Sequence, residues 1–152
     1  GKSVVTTAGK LNAKGVIHTV GPIWNGGQNK EEELLKEAYK NSLIIGDENS
    51  YQTICFPSIS TGAYDFPIEK AAEIALKTIK EYIENNDQFD EVRMILFSED
   101  DYNIYLKKEA GVIHPCTKSG NRLGHLKSVQ VHQSVDEVCS VTLSAYVCGW
   151  VD

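Results

Sequence analysis

Apolar residues in this chain alternate between short β-like runs and longer stretches with helical spacing. Residues 2–7 contain Ser-Val-Val-Thr-Thr, a β-branched run that predicts a strand. Residues 15–20, Gly-Val-Ile-His-Thr-Val, predict a second, buried strand that Gly21-Pro22 ends. From residue 29 to about 45, Leu34, Leu35, Ala38, Tyr39, Ser42 and Leu43 form one helical stripe, with Asn29 as the expected cap and Glu32 as the acid of a capping box. Residues 51–56 read as a short buried strand. The longest helix spans residues 67–85, with Ile68, Ala71, Ala72, Ala75, Leu76, Ile79, Tyr82 and Ile83 on one face and Pro67 at its first position. Residues 92–97 predict another strand, and Ser98 caps a helix over 99–108. Short strands alternating with helices indicate an α/β layer with a largely parallel sheet, in which ligands bind at the carboxyl ends of strands.

The character changes after Glu109. Residues 111–152 carry three Lys and Arg and three Asp and Glu, out of 15 and 21 in the whole chain. This segment holds three of the four cysteines and three of the four histidines and has no helical stripe. Residues 111–124, with Pro115, Gly120 and Asn121, read as a linker. Between 141 and 151 the odd positions are Val, Leu, Ala, Val, Gly and Val, an alternation that suits a strand. The chain therefore divides into an α/β domain at 1–110 and an unassigned segment at 111–152 with one β-strand expected within 141–151.

Composition removes several function classes. With 41% hydrophobic and 24% charged residues, the chain is of the soluble globular kind. It has no apolar run of the ~20 residues a membrane helix needs. The net charge of −6, with no basic face, argues against nucleic acid as the main partner. It does not argue against a small anion held by backbone N–H groups. Cys55, Cys116, Cys139 and Cys148 form no Cys-x-x-Cys pair, and His114, Cys116, His125 and His132 lack a zinc spacing, so neither a metal nor another cofactor is expected. Free thiols suggest a reducing, cytoplasmic setting. The absence of an initiating Met suggests that the natural N-terminus lies upstream.

One stretch concentrates the candidate chemistry: Cys55-Phe-Pro-Ser-Ile-Ser-Thr-Gly-Ala-Tyr-Asp-Phe-Pro67. Here the chain passes from apolar strand to small-residue loop to helix, so several N–H donors converge near the positive end of a helix dipole. A phosphate or diphosphate fits that arrangement; an ordinary strand-to-helix turn is the plainer alternative. Phe97, at another strand end, reads either as a flank for an aromatic base or as a core aromatic. His18 reads as a hydrogen-bonded core histidine, since no acid or nucleophile adjoins it. Trp24 to Gln28, with the Gly26-Gly27 pair, reads as a mobile loop, and Glu31, Glu32 and Glu33 as a solvated first turn. A serine hydrolase is excluded because Ser58 and Ser60 do not lie in Gly-x-Ser-x-Gly. A Walker site is excluded because no Gly-Lys-Ser/Thr follows a glycine loop.

Three stretches make residues 1 to about 110 resemble the macrodomain family of ADP-ribose-binding modules, closest to its MacroD-like hydrolase branch. They are Leu11-Asn-Ala-Lys-Gly-Val-Ile-His-Thr-Val-Gly-Pro-Ile-Trp24, the Cys55–Pro67 stretch, and Ile95-Leu-Phe-Ser-Glu-Asp-Asp-Tyr102. The resemblance implies a three-layer α/β/α fold with a mixed, largely parallel sheet, here incomplete at its N-terminus. It implies that Ser58, Ile59, Ser60, Thr61, Gly62, Ala63 and Tyr64 wrap the diphosphate of ADP-ribose, and that Phe97 lies on the adenine side. The expected partner is ADP-ribose or an ADP-ribosylated protein. Asp65 stands where the family usually has Gly; its carboxylate could cap the helix or oppose the diphosphate, at a cost of about 1 kcal/mol.

The family's N-terminal portion, with its adenine-reading acid, Asn-Ala-Ala-Asn strand end and Gly-rich loop, has no counterpart here. No catalytic residue can therefore be assigned by resemblance, and whether the chain is an enzyme stays open. Three functions follow: an ADP-ribosyl or O-acetyl-ADP-ribose hydrolase present incompletely, a non-catalytic ADP-ribose-binding module, or an inactive fragment. The family's sheet would also lack a central strand between residues 15–20 and 51–56. Either a strand from 141–151 fills that place, or the C-terminal segment is unrelated sequence.

Overall fold

The computed structural model describes residues 1–112, 128–132 and 143–149. Its elements run β1 (Ser3–Thr6), β2 (Ala13–Thr19), α1 (Glu31–Glu48), β3 (Thr53–Pro57), α2 (Ile68–Asn85), β4 (Glu91–Ile95), α3 (Glu99–Val112), β5 (Ser128–His132) and β6 (Leu143–Gly149). Most of the linker expected over 111–124, and His114, Cys116 and His125, lie outside the described residues.

The strands form one six-stranded sheet in the order β1-β2-β6-β3-β4-β5. β1 is antiparallel to β2, and every other pairing is parallel, so the sheet is mixed and largely parallel as expected. β6 occupies the place between β2 and β3. It runs beside β2 from Ala13↔Leu143 to Thr19↔Gly149, but beside β3 only at Ile54↔Ala145 and Cys55↔Tyr146.

Alternation along β3 and β4 decides the layers. Ile54, Phe56, Val92 and Met94 are buried in the main core, while Cys55 and Ile95 belong to a second cluster. The main core gathers Leu35, Ala38, Tyr39 and Leu43 from α1, Ala71, Ala72, Ala75, Leu76 and Ile79 from α2, and Tyr105 from α3. The described helices thus form one of the two expected helical layers. The three alanines on α2 keep that stripe thin, and each fully buried Leu or Ile contributes about 1.5–3 kcal/mol.

Helix starts differ from expectation in two places. The N-cap of α1 is Lys30, at φ 61, not Asn29, and no side chain caps it. Glu32 does not close a capping box: its carboxylate accepts from Lys70 Nζ at 2.6 Å. Pro67 is the N-cap of α2 rather than its first helical residue, at φ −57 and ψ 121. Ser98 does cap α3, its Oγ accepting the Asp101 N–H at 3.1 Å.

Candidate functional site

Because β2, β3, β4 and β6 are mutually parallel, their carboxyl ends emerge along one edge of the sheet. Residues 20–24, 58–66 and 96–98 therefore line that edge together. The central segment is the candidate anion loop.

Its hydrogen bonds follow an alternating rule. The Ser58 carbonyl accepts from Thr61 Oγ1 at 3.0 Å. The Ser60 and Gly62 carbonyls accept the N–H groups of Phe66 and Asp65, each at 3.0 Å, and the Tyr64 carbonyl accepts the Trp24 N–H at 2.9 Å. The carbonyls at 58, 60, 62 and 64 are thus all occupied by bonds within the protein. The N–H groups of Ser60, Thr61, Gly62 and Ala63 donate to no other described residue. Ser60 sits at φ 67 in the left-handed region, the kind of reversal that turns successive N–H groups toward one concavity.

The sequence-predicted residues do not all share one role. Gly62 and Ala63 are exposed, and Ser58, Ser60, Thr61 and Tyr64 are half-buried. Ile59 stands apart: its side chain is buried and its N–H donates to the Tyr39 phenol oxygen at 3.1 Å, so that donor is committed inside the protein. The Ser60 hydroxyl is also turned inward, buried with no hydrogen-bond partner among the described residues. It lies so close to Gly21 that a Cβ there would come within 2.1 Å of Ser60 Oγ and 2.5 Å of Ile59 Cγ2. Gly21 is therefore what allows the two segments to touch.

Phe97 lies beyond the end of β4 and is fully exposed, which removes the core alternative for it. Val20 and Ile23, past the end of β2, are also exposed apolar side chains at this edge. Asp65 adopts φ 52, a conformation in which glycine is at ease, and its carboxylate does not cap α2. His18 is distant from this chemistry in role: its Nε2 is hydrogen-bonded with Thr6 Oγ1 at 2.8 Å across β1 and β2.

Sequence reasoning missed how the neighbouring loop is held. Residues 22–29 are pinned at both ends. Trp24 binds the Tyr64 carbonyl, and its ring packs on Phe66 with centroids 4.7 Å apart. At the other end Glu31, expected in solvent, is only 2% exposed. Its carboxylate accepts the N–H groups of Asn25 at 3.1 Å and Asn29 at 2.6 Å. Burial alone would raise its pKa, but backbone N–H groups at Glu31, Asn29, Asn25 and Gly27 outweigh that and hold the carboxyl below its usual range. The available signal was Gly26-Gly27 followed closely by an acid. Among the described residues no group of His, Cys, Asp and Glu could hold a metal ion.

Fold and edge together define an α/β domain of the class that takes ligands at the carboxyl ends of parallel strands. Residues 1–75 match the Macro domain family model. A macro domain-containing protein of Caldanaerobacter subterraneus subsp. tengcongensis is 54% identical over 107 residues, covering 70% of this chain and 61% of that protein. The O-acetyl-ADP-ribose deacetylase of Salmonella newport is 45% identical over 107 residues, 70% of this chain and 60% of that enzyme. The solved Oceanobacillus iheyensis macrodomain with ADP is similar at a TM-score of 0.67 and 44% identity, over 70% of this chain and 56% of that one. Over the matched portion this chain is similar to members of the macrodomain family. It spans about 60% of the length of the curated relatives it matches.

Proposed function

We propose that this chain binds ADP-ribose, with the donors of residues 60–63 on the diphosphate and Phe97 on the adenine side. One observation carries the reading: four consecutive N–H groups stand uncommitted among the described residues, while the carbonyls of residues 58, 60, 62 and 64 are bonded within the protein. A diphosphate is the ligand that such a run suits, and backbone dipoles let a chain of net charge −6 hold it without a basic patch. The similar macrodomain with ADP and the similar O-acetyl-ADP-ribose deacetylase support the same ligand class.

Hydrolysis of O-acetyl-ADP-ribose or of ADP-ribosyl-protein is the activity this ancestry suggests, with an ADP-ribosylated protein as the partner. No described side chain is assigned a catalytic role. A cytoplasmic setting goes with the same reading, supported by the free thiol of Cys55, whose pKa burial pushes up to about 12.

Calorimetric titration of the 152-residue chain with ADP-ribose tests the proposal. Gly62→Glu is the control, because a Cβ at Gly62 meets nothing within 4 Å and the variant keeps the fold while placing a carboxylate beside the donors. Binding that the control abolishes supports the reading; no heat from a folded parent chain refutes it. Acetate release from O-acetyl-ADP-ribose then separates a hydrolase from a binding module.

A further inference from the structure

We propose that Tyr39 and Tyr105, both wholly buried, are positioning residues for the anion loop, acting on it through Ile59 and Ser58. The inference rests on the binding reading above and adds what sets the loop's shape.

Tyr39 comes from α1 and Tyr105 from α3, so the loop is approached from two different helices. The Tyr39 hydroxyl accepts the Ile59 N–H at 3.1 Å and donates to the Pro57 carbonyl at 3.3 Å. The Tyr105 and Ser58 hydroxyls share a hydrogen bond at 2.8 Å. Residues 57, 58 and 59, where the chain leaves β3, are thus fastened by two phenol hydroxyls, Tyr39 holding 57 and 59 and Tyr105 holding 58. Phenylalanine would supply the same ring at either core position, and Tyr39 already packs on Phe56 with centroids 5.3 Å apart. A buried hydroxyl is costly unless bonded, so what tyrosine adds here is its bonds.

The consequence for the site is specific. Tyr39 withdraws the Ile59 N–H from the ligand side, so the run of outward donors begins at Ser60, where φ turns positive. Burial raises the pKa of both phenols, Tyr39 well above its ordinary value and Tyr105 to about 12, so both keep their protons through the physiological range. The fastening is therefore neutral and does not oppose an incoming diphosphate.

The test compares Tyr39→Phe, Tyr105→Phe, Ser58→Ala and Ser58→Thr in the full chain, each confirmed as folded by circular dichroism. Both phenylalanine variants and Ser58→Ala should weaken ADP-ribose binding about tenfold, the scale of one lost hydrogen bond. Ser58→Thr keeps the hydroxyl and should return affinity to within about threefold of the parent, a rescue that loss of core packing would not show. The double variant Tyr39→Phe/Tyr105→Phe should lose more than either single one, because the two phenols hold different groups of the loop. Hydrogen exchange gives a second readout that needs no ligand: the Ile59 amide should be protected in the parent and fast in Tyr39→Phe. Folded phenylalanine variants that bind within twofold of the parent overturn the proposal, as does an Ile59 amide indifferent to Tyr39→Phe. If the tyrosine variants do not fold, the Ser58 pair decides through rescue or its absence. If the parent does not bind ADP-ribose, the binding reading has failed, and Ile59 exchange alone decides the positioning.

Discussion

Residues 22–29 and residues 57–66 lie side by side at the carboxyl edge, yet one is held by a carboxylate and the other by hydroxyls and its own carbonyls. In the first, Glu31 gathers the N–H groups of Asn25 and Asn29. In the second, Thr61 Oγ1, the Tyr39 and Tyr105 phenols and inward backbone bonds hold the turn. The difference follows from what each must expose. A loop that spends N–H groups on a buried anion has fewer left for a ligand, whereas a loop bonded through its carbonyls leaves N–H groups uncommitted. An anchor without charge also leaves the second loop's field positive.

The seam between the two loops should give the largest effect. Gly21→Ala places a methyl within 2.1 Å of Ser60 Oγ and 2.5 Å of Ile59 Cγ2. Such overpacking should cost about 1–3 kcal/mol in the denaturation free energy. Adding Ser60→Gly removes the nearer obstacle and suits the positive φ there, so the double variant should recover part of the loss. No recovery would mean that the loops do not meet through Ser60.

Next comes the carboxylate. Glu31→Gln keeps the size but loses the charge and one of its two acceptors, so the melting temperature should fall by several degrees. Ligand affinity should change less than in Tyr39→Phe, because Glu31 holds the non-binding loop. Equal losses of affinity would erase the distinction between the loops.

Acid should separate the loops in one protein. The Glu31 pKa is lowered on folding, so its stabilisation is present above the ordinary carboxylate value of 4.5 and is lost as the pH falls through the lower folded value. In a Trp150→Phe background, Trp24 fluorescence should report release of its loop in that acid window. Glu31→Gln should flatten the transition. A transition that survives the substitution would assign it to another group.

The smallest effect is expected at Asp65. Glycine relieves the left-handed conformation at φ 52 but is itself more flexible when unfolded, so Asp65→Gly should change stability by only about 0.5 kcal/mol. It also removes an exposed negative charge near the donors, and ADP-ribose affinity should rise by no more than about threefold, as for other screened surface charges. Weaker binding would show that the carboxylate serves the loop.

Most elements were legible because each rests on contiguous residues. The Ala71–Ile83 stripe, the Ser98 cap and the turn at residues 58–64 depend on local periodicity or local hydrogen bonds, and the structure places them within a residue or two. Phe97 was legible as a strand-end aromatic, but its exposure was not, because exposure depends on what packs above the strand. Asn29 illustrates the reverse error. Its side chain suits a cap, but the Glu31 carboxylate takes its backbone N–H, and the helix starts from Lys30 instead. The C-terminal alternation showed a strand but not its place; only the parallel register with β2 and β3 puts β6 between them.

By itself, then, the sequence determined the order of strands and helices, the small-residue loop after β3 and the family resemblance, since all three are written in adjacent positions. The tertiary structure decided which loop donors face outward, which glutamate is buried and where β6 pairs. The pairing of β6 and the fastening of the loop depend on partners 20 or more residues apart, such as Tyr39 with Ile59 and Ser58 with Tyr105, and no local pattern encodes a distance across the fold.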